Sequence, residues 1–249
     1  MDSVNLKLPQ TAQMYAELFL SKLNHGISFF FCECQRYLRV IFSGRGSFYP
    51  FPIILPNFDP MKICFATNNK KKIEEVKSAL GEDFTIVSLE EIGCREELPE
   101  TGDTLEHNAF QKARYVKDHY GVDCFADDTG LEVAALDGAP GVYSGRFAGE
   151  PRSDERNVDL LLSKMAGNEN RKARFRTVIA LILNGEEHAF DGVAEGDIIH
   201  ERIGTGGFGY DPVFVPNGFK KTFAELTLEE KNSISHRGKA VKALVNFLK

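Results

Sequence analysis

Short apolar segments of strand length alternate with amphipathic helical segments from residue 61 onward. Residues 62–66 form the first apolar run, and Ile73, Val76 and Leu80 then recur at helical spacing until Gly81. A strand followed at once by a helix is the repeating unit of α/β proteins and is not found in all-β sandwiches or helix bundles. The alternation therefore predicts an α/β fold for this part of the chain.

The later segments continue this alternation, but their strands do not all run in one direction. Asp103 and Glu106 have the spacing of a capping box at the start of one helix, and Ser153 is the expected cap of another. Residues 175–183 form a long apolar strand, and the Asn-Gly dipeptide after it is favoured in tight hairpins. Hairpins join antiparallel strands, so we expect a mixed sheet. A last helix is predicted over residues 235–249.

Residues 1–60 differ in composition from the rest of the chain. They hold 11 of the 27 Phe and Tyr residues, in clumps without helical or strand period, and four prolines lie between positions 50 and 60. We expect this segment to be an N-terminal extension outside the functional fold, with Met61 as a plausible start and residues 61–249 as the functional domain. The alternative is an aromatic segment that binds a partner or touches a membrane.

Charge and hydropathy exclude several classes of function. The 30 Lys and Arg residues against 36 Asp and Glu residues give a net charge of −6, so polymer DNA or RNA is not an expected partner. The sequence has neither an uncharged apolar run near the roughly 18 residues of a membrane span nor the features of a signal peptide. We therefore expect a cytoplasmic protein without a membrane partner. The five cysteines lack metal-site spacing and are expected to be reduced, mostly buried thiols.

A polar, basic turn joins the first predicted strand to the first helix. It consists of Thr67, Asn68, Asn69, Lys70, Lys71 and Lys72. Free backbone N–H groups and the positive end of the helix dipole can bind an anion at such a turn, which makes it a candidate phosphate site. The Walker pattern is absent, and a solvated lysine-rich helix start explains the residues equally well.

Two adjacent carboxylates, Asp127 and Asp128, follow an apolar strand. Neighbouring residues of an extended strand point to opposite faces, so only one aspartate can point into a cleft while the other supports it. A single carboxylate of this kind can bind Mg²⁺ and accept a proton from water, which is the chemistry of metal-assisted hydrolysis. The alternative is a turn held by side-chain hydrogen bonds.

Residues 204–209 match the glycine pattern of dinucleotide-binding loops, but their context does not. That pattern must open a helix, whereas a turn and an apolar strand follow here. A glycine loop that ends in Phe208, Gly209 and Tyr210 instead suits close approach to a flat heterocycle, with Asp211 as an acceptor.

Three further donors lie near the start of the last helix. Lys231, His236 and Arg237 suit carbonyl or phosphate oxygens as hydrogen-bond acceptors. A structural or surface histidine is the alternative for His236, but its basic neighbours favour a binding role.

Together these segments resemble the inosine triphosphate pyrophosphatase family, enzymes that act on non-canonical purine nucleoside triphosphates. The resemblance covers essentially all of residues 61–249. Its six motifs stand in family order: A-T-N-N-K-K-K at 66–72, L-P-E-T-G-D-T at 98–104, A-D-D-T-G-L at 126–131, G-A-P-G-V-Y-S-G-R at 138–146, F-G-Y-D-P at 208–212 and E-K-N-S-I-S-H-R at 230–237.

The resemblance implies a fold, an assembly and a reaction. The implied fold is an elongated two-lobed α/β domain around a long mixed β-sheet with flanking helices, with the nucleotide in a cleft between the lobes. The implied assembly is a homodimer. The implied reaction is Mg²⁺-dependent hydrolysis of ITP, dITP or XTP to the monophosphate and pyrophosphate.

The resemblance also implies a role for each candidate residue. Residues 67–72 would hold the triphosphate, and Lys72 would be the main phosphate lysine. Glu100 and Asp128 would bind Mg²⁺, and Asp128 would also accept the proton, with Asp127 as its supporting neighbour. Thr129 would contact the substrate. The base and sugar would contact Phe208, Gly209, Tyr210 and Asp211, and the purine would be recognised by Lys231, His236 and Arg237.

Two other functions remain open from the sequence. One is a Maf-like pyrophosphatase acting on modified pyrimidine nucleotides, against which the S-H-R and F-G-Y-D segments argue. The other is a nucleotide-binding module without turnover, against which the acidic residues Glu100, Asp127 and Asp128 argue.

Overall fold

The computed structural model describes residues 61–80 and 84–249, which form seven strands and five α-helices. The strands are β1 Met61–Phe65, β2 Phe84–Val87, β3 Cys124–Val133, β4 Pro140–Gly141, β5 Lys172–Leu183, β6 Glu186–Ile198 and β7 Phe214–Pro216. The helices are α1 Lys70–Leu80, α2 Leu105–Tyr120, α3 Asp154–Lys164, α4 Leu228–Ile234 and α5 His236–Leu248. The predicted extension, residues 1–60, lies outside the described residues.

All seven strands belong to one mixed sheet. Its order is β2-β1-β3-β5-β6-β7, and β4 pairs with β3. β1 runs parallel to β2 and β3, and the pairings from β3 onward are antiparallel. The predicted hairpin joins β5 to β6 through Asn184 and Gly185, whose φ angles of 52° and 85° are those of a tight two-residue turn. The predicted α/β fold with a mixed sheet is confirmed.

One predicted helix cap is wrong by one residue. Thr104, not Asp103, caps α2: its backbone is extended and its hydroxyl accepts a hydrogen bond from the His107 N–H at 3.1 Å. The side chain of Glu106, which the capping box required, binds Arg176 of β5 instead. Glu106 therefore pairs with a residue of a distant strand and does not form the local hydrogen bond of a capping box.

Other local predictions are confirmed. Ser153 caps α3 by accepting a hydrogen bond from the Arg156 N–H. Three of the five cysteines, at positions 64, 94 and 124, are buried free thiols, and the other two lie outside the described residues. No helix in the described ranges is both long enough and apolar enough to span a membrane.

The apolar core has two halves along the long strands. In the first half, alternate residues of β1 pack on opposite faces, Cys64 toward α2 and Phe65 toward α1 and α5. In the second half, α3 covers a cluster that includes Phe175 and Phe214. Between the halves, residues 127–130 of β3 interrupt the apolar pattern of that strand. The interruption places polar side chains where the two halves meet.

Two glycines of β6 permit close packing on that strand. A Cβ atom on Gly192 would lie 2.0 Å from the carbonyl oxygen of His236, at the start of α5. A Cβ atom on Gly196 would lie 2.3 Å from the carbonyl oxygen of Val215 in β7. Neither distance is possible without movement of the backbone. Gly192 therefore sets how closely the start of α5 approaches the sheet.

We predict that Gly192→Ala and Gly196→Ala both destabilise the protein, each by about 1–3 kcal/mol, because a methyl group is forced into packed backbone. Only Gly192→Ala should also displace His236. Thermal unfolding measures the first effect, and the NMR chemical shifts of the His236 ring measure the second. Unchanged His236 shifts in Gly192→Ala, or equal changes in both variants, would contradict the role given to Gly192.

Candidate active site

A cleft of about 560 Å³ opens where the two halves of the core meet. Its walls come from the β1–α1 turn, the middle of β3, residues 97–100, residues 208–211 and the start of α5. Fourteen of the predicted site residues line it: Thr67, Asn68, Asn69, Lys72, Glu100, Asp128, Thr129, Phe208, Gly209, Tyr210, Asp211, Lys231, His236 and Arg237. Lys70 and Lys71 are exposed and do not line it. The fold thus brings most of the predicted site together.

The β1–α1 turn is ordered by its own side chains. The Asn69 carboxamide oxygen accepts hydrogen bonds from the N–H groups of Lys71 and Lys72, at 3.0 and 3.2 Å, and so caps α1. The Asn69 N–H in turn donates to the Thr67 hydroxyl at 3.2 Å. Lys71 does not line the cleft, and its Nζ donates to the Gly207 carbonyl at 2.9 Å and lies 5.8 Å from the ring centroid of Phe208. Of the three lysines, only Lys72 lines the cleft.

The two adjacent aspartates of β3 have different surroundings, as strand alternation predicts. Asp127 is fully buried and accepts hydrogen bonds from Lys72 at 2.9 Å and from Arg237 Nε at 3.1 Å. Asp128 lines the cleft and accepts hydrogen bonds from the Asn108 amide at 3.1 Å and from the Thr129 N–H at 3.0 Å. Only Asp128 faces the cleft.

Burial and charge move the two aspartate pKa values in opposite directions. Burial by itself would raise the pKa of Asp127, but the positive charges of Lys72, Arg237 and Lys112 hold that pKa well below its usual range. Burial raises the pKa of Asp128, and Lys112 and Lys72 only partly offset this effect. Asp127 is therefore a permanent anion, whereas Asp128 has the greater proton affinity. Such a division between neighbouring carboxylates is typical of acid–base sites.

A network of buried ion pairs extends from Asp127 along one wall of the cleft. The Arg237 guanidinium joins Asp127 to Glu75 of α1 and also donates to the Thr129 hydroxyl at 3.1 Å. The Lys231 ammonium joins Glu75, at 2.6 Å, to Asp211, at 2.5 Å. The buried members of the network thus alternate in charge, as the low-dielectric interior requires.

The sequence analysis missed Glu75, and no local signal identifies it. Glu75 is 4% exposed, and its partners Lys231 and Arg237 come more than 150 residues later in the chain. Burial and the two cations act on it in opposite directions, and the cations hold its pKa below the usual value.

The network also includes Asp211 of the glycine-rich turn. Its carboxylate is buried and accepts hydrogen bonds from Lys231 and from the Phe208 N–H, the latter at 2.8 Å. Both contacts are to Oδ2 and hold the glycine-rich turn in place, and the role of Asp211 as an acceptor for a base stays a prediction.

A second polar cluster surrounds Asp128 on the other wall. Lys112 of α2 donates to Glu100 at 2.6 Å and to the Asp127 carbonyl at 2.7 Å, and its Nζ lies 3.8 Å from Asp128. Lys112 is 5% exposed, and the sequence analysis missed it as well. A signal was present, because Lys112 stands seven residues after Leu105 on the apolar stripe of α2, where a lysine requires a buried partner.

The Asp128 cluster contains two carboxylates that could bind a divalent metal, Asp128 and Glu100. The described ranges contain no group of three or more His, Cys, Asp or Glu side chains that could hold a metal ion. Glu100 and Asp128 nevertheless share one cation, the Lys112 ammonium, so their oxygens converge. Mg²⁺ is commonly held by one or two carboxylates together with substrate phosphates and water. The pair therefore fits a metal that arrives with a phosphorylated substrate.

The opposite end of the cleft is aromatic. The His236 ring stacks on Phe175 with centroids 4.5 Å apart, and its Nδ1 is buried without a hydrogen-bond partner. Burial and the charges of Arg237 and Lys231 lower the pKa of His236 well below its usual value, so the imidazole is neutral. The Tyr210 hydroxyl donates to the Ser144 carbonyl at 2.9 Å. The aromatic part of the lining therefore includes a neutral histidine ring with one buried nitrogen that lacks a partner.

We predict that Asp127→Asn lowers the free energy of unfolding by about 3–5 kcal/mol, because the buried cations Lys72 and Arg237 lose their shared anion. The control is Asp197→Asn, which breaks an exposed ion pair with Lys172 and should cost no more than about 1 kcal/mol. Urea unfolding measures both. Equal losses in the two variants would show that the buried network contributes no more than a surface pair.

Comparison with known proteins gives a consistent result. The Ham1 family model matches residues 63–247. The chain is 54% identical over 189 residues to a dITP/XTP pyrophosphatase of Flavobacterium psychrophilum, covering 76% of this chain and 100% of that protein. It is 55% identical over 188 residues to a dITP/XTP pyrophosphatase of Porphyromonas gingivalis, covering 75% and 97% of the two chains.

Solved structures are similar over the same region. The Ham1 protein of Staphylococcus aureus superposes with a TM-score of 0.69 at 39% identity, covering 75% of this chain and 97% of that one. A nucleoside-triphosphatase, dITP/XTP pyrophosphatase, of Mycobacterium abscessus superposes with a TM-score of 0.61 at 45% identity, covering 74% and 98%. The residues that line the cleft lie within the region of the family match, and this chain belongs to the Ham1 family.

Proposed function

We propose that this protein is a nucleoside triphosphate pyrophosphatase that hydrolyses ITP, dITP and XTP to the monophosphate and pyrophosphate, and so removes them from the nucleotide pool. The names of its relatives support the substrate class. The observation that carries the chemistry is the geometry of the adjacent aspartates: Asp127 is buried between Lys72 and Arg237, Asp128 faces the cleft, and their pKa values shift in opposite directions accordingly. A carboxylate of raised pKa facing a cleft is suited to accept a proton, and its neighbour keeps the surrounding cations in place.

In the proposed reaction, a water molecule beside Asp128 attacks the α-phosphorus. A new bond forms between the water oxygen and phosphorus, the proton of the water passes to Asp128, and the bond from the α-phosphorus to the bridging oxygen breaks. The electron pair of that bond leaves with pyrophosphate. Asn108 and the Thr129 N–H hold the Asp128 carboxylate in position. Lys72, at the start of α1, faces the cleft and would stabilise the charge that develops on the phosphates.

Glu100 and Asp128 would hold Mg²⁺, which would supply positive charge to the phosphate oxygens when bound. Lys112 contacts the same two carboxylates. Its role is to keep them close together, since two converging carboxylates repel each other without a cation.

Base recognition follows from the chemistry of purine position 6. Hypoxanthine and xanthine carry an oxygen there, which accepts hydrogen bonds, whereas adenine carries an amino group, which donates them. Hydrogen-bond donors in the cleft therefore favour ITP and XTP. With ATP, the amino group at position 6 would face these donors, and neither group would have an acceptor. Lys231 and Arg237 are held in ion pairs with carboxylates, which favours a structural role for them in the wall of the cleft. His236 is then the candidate for base recognition, because its neutral ring has a nitrogen without a hydrogen-bond partner.

A substrate panel tests the proposed function. Pyrophosphate release is measured with Mg²⁺ from ITP, XTP, GTP, ATP and dTTP side by side. We expect the highest kcat/KM for ITP and XTP. Preference for dTTP or modified pyrimidine nucleotides would favour the Maf-like alternative, and binding without any release would favour a nucleotide-binding module.

The proposal extends to assembly and location. We infer a homodimer that works on free nucleotides in the cytoplasm, without polymer nucleic acid or membrane as partners. The family resemblance supports the dimer, and the acidic balance of the chain supports the absence of a nucleic-acid partner. Light scattering after gel filtration measures the assembly directly.

We predict that Asp128→Asn lowers kcat for ITP by a factor on the order of 10² to 10⁴, because an amide cannot accept the proton of water. Circular dichroism and thermal unfolding should show an intact fold. The control is Glu97→Gln, which changes another carboxylate of the cleft lining and should retain activity. Near wild-type turnover in Asp128→Asn would remove Asp128 from the mechanism and make Asp127 the next candidate.

We predict that His236→Phe lowers kcat/KM for ITP and XTP by about 2- to 10-fold, the value of a neutral hydrogen bond, and leaves the weak ATP activity unchanged. Phenylalanine keeps the aromatic stack on Phe175 and removes the ring nitrogens. The control is His188→Phe, which changes a histidine that packs on Phe247, outside the cleft lining. Equal losses for ITP and ATP would show that His236 does not select the base.

A further inference from the structure

The cleft contains a charge imbalance that the proposed function leaves unresolved. Seven carboxylates lie in or beside it: Glu75, Glu97, Glu100, Asp127, Asp128, Asp154 and Asp211. Four cations contact some of them within hydrogen-bond distance: Lys72, Lys112, Lys231 and Arg237. A nucleoside triphosphate brings several further negative charges to cations that are already paired. Tight binding of its phosphates therefore requires positive charge that carboxylates have not already neutralised.

Two further arginines line the cleft: one forms no ion pair within the described ranges, and the other forms only ion pairs longer than a hydrogen bond. Arg146 lies over the ring of Tyr143, with its guanidinium carbon 5.3 Å from the ring centroid, and forms no ion pair with a described residue. Arg152 has a half-exposed side chain whose nearest carboxylate oxygens, on Glu100 and Glu150, are 3.9 and 3.7 Å away. These separations exceed hydrogen-bond length, so the guanidinium donors remain available. Neither arginine belongs to the residues assigned above to phosphate binding.

The segment that carries Arg146 is fixed to β3. The Ser144 hydroxyl accepts a hydrogen bond from the Leu131 N–H at 2.8 Å and donates to the Gly141 carbonyl at 2.6 Å. Gly130 permits this contact, because a Cβ atom there would lie 2.6 Å from the Gly141 carbonyl oxygen. A side chain presented from a fixed segment loses less entropy when it binds a ligand. The strand that carries Asp128 therefore also positions Arg146.

Arg152 lies at the phosphate end of the cleft. Arg237 contacts Asp127 and Thr129. Lys112 links Asp128 to Glu100. A carboxylate oxygen of Glu100 lies 3.9 Å from the guanidinium group of Arg152. The base occupies the aromatic end and the α-phosphorus lies at Asp128 in the proposed reaction. Arg152 therefore lies beside the carboxylates that would hold Mg²⁺, where the phosphates of the substrate would also bind.

We propose that Arg146 and Arg152 form a phosphate clamp that binds the triphosphate of the substrate and the pyrophosphate product. The clamp rests on the proposed function for the identity of the nucleotide. Guanidinium groups suit this task because their paired N–H donors match phosphate oxygens. The proposed reaction gives no role to the segment G-A-P-G-V-Y-S-G-R. The clamp gives it one, because this segment holds Arg146 in position on β3.

The test compares Arg146→Ala, Arg152→Ala and the double variant with wild type. We expect each single variant to raise KM for ITP and the inhibition constant of pyrophosphate by about tenfold or more, the value of a charge-assisted hydrogen bond. Inosine, which has no phosphate, should inhibit all forms equally.

Arg114→Ala is the matched control. The side chain of Arg114 is 52% exposed, against 54% for Arg152, but it pairs with Glu187 outside the cleft lining.

Unchanged inhibition by pyrophosphate in the double variant would overturn the clamp. A loss of pyrophosphate affinity in only one of the two single variants, or an equal loss of inosine affinity, would also overturn it. Arg146→Lys and Arg152→Lys keep the charge and should recover part of the affinity, which separates the clamp from a folding defect. If wild type releases no pyrophosphate from any nucleotide, the proposed function fails by itself. Calorimetric titration of wild type and the double variant with pyrophosphate and Mg²⁺ then still tests the clamp.

Discussion

The burial of Asp127 between two cations is the interaction on which the cleft depends. Its carboxylate is fully buried and binds Lys72 from the start of α1 and Arg237 from the start of α5. Removing a carboxylate from water is costly, and the cost is offset only when opposite charges and hydrogen bonds surround it. Two helices and a strand must therefore keep a fixed geometry around this one side chain.

The same requirement spreads outward from Asp127. Arg237 also binds Glu75, which binds Lys231, which binds Asp211, and Asp211 in turn holds the Phe208 N–H. Each buried charge needs the next, so the glycine-rich turn and the two C-terminal helices are linked to β3 through charge as well as through apolar packing. The close approach of α5 to Gly192 is part of the same geometry.

This network explains how two identical neighbouring side chains acquire different chemistry. Strand alternation turns Asp127 toward Lys72 and Arg237, and it turns Asp128 toward the cleft. The first carboxylate is surrounded by cations, whose charge holds its pKa low. The second is buried with fewer cations, and its pKa rises. In the proposed mechanism the first organises the site and the second takes the proton.

Local sequence determined the elements of this protein, whereas the tertiary structure decided how its charges are paired. Strand and helix periodicity, the Asn-Gly hairpin and the Ser153 cap depend on contacts within a few residues, so they were predictable. The candidate residues were predictable too, because their motifs recur in a known family. Glu75 and Lys112 were not predicted, and the ion pairs of Arg237 and Lys231 were not predicted either. Pairing of buried charges depends on which distant segments meet, and in this chain Glu75 meets partners more than 150 residues away. The same limit applies to Glu106, whose side chain pairs with Arg176 of a distant strand, while the α2 cap is Thr104.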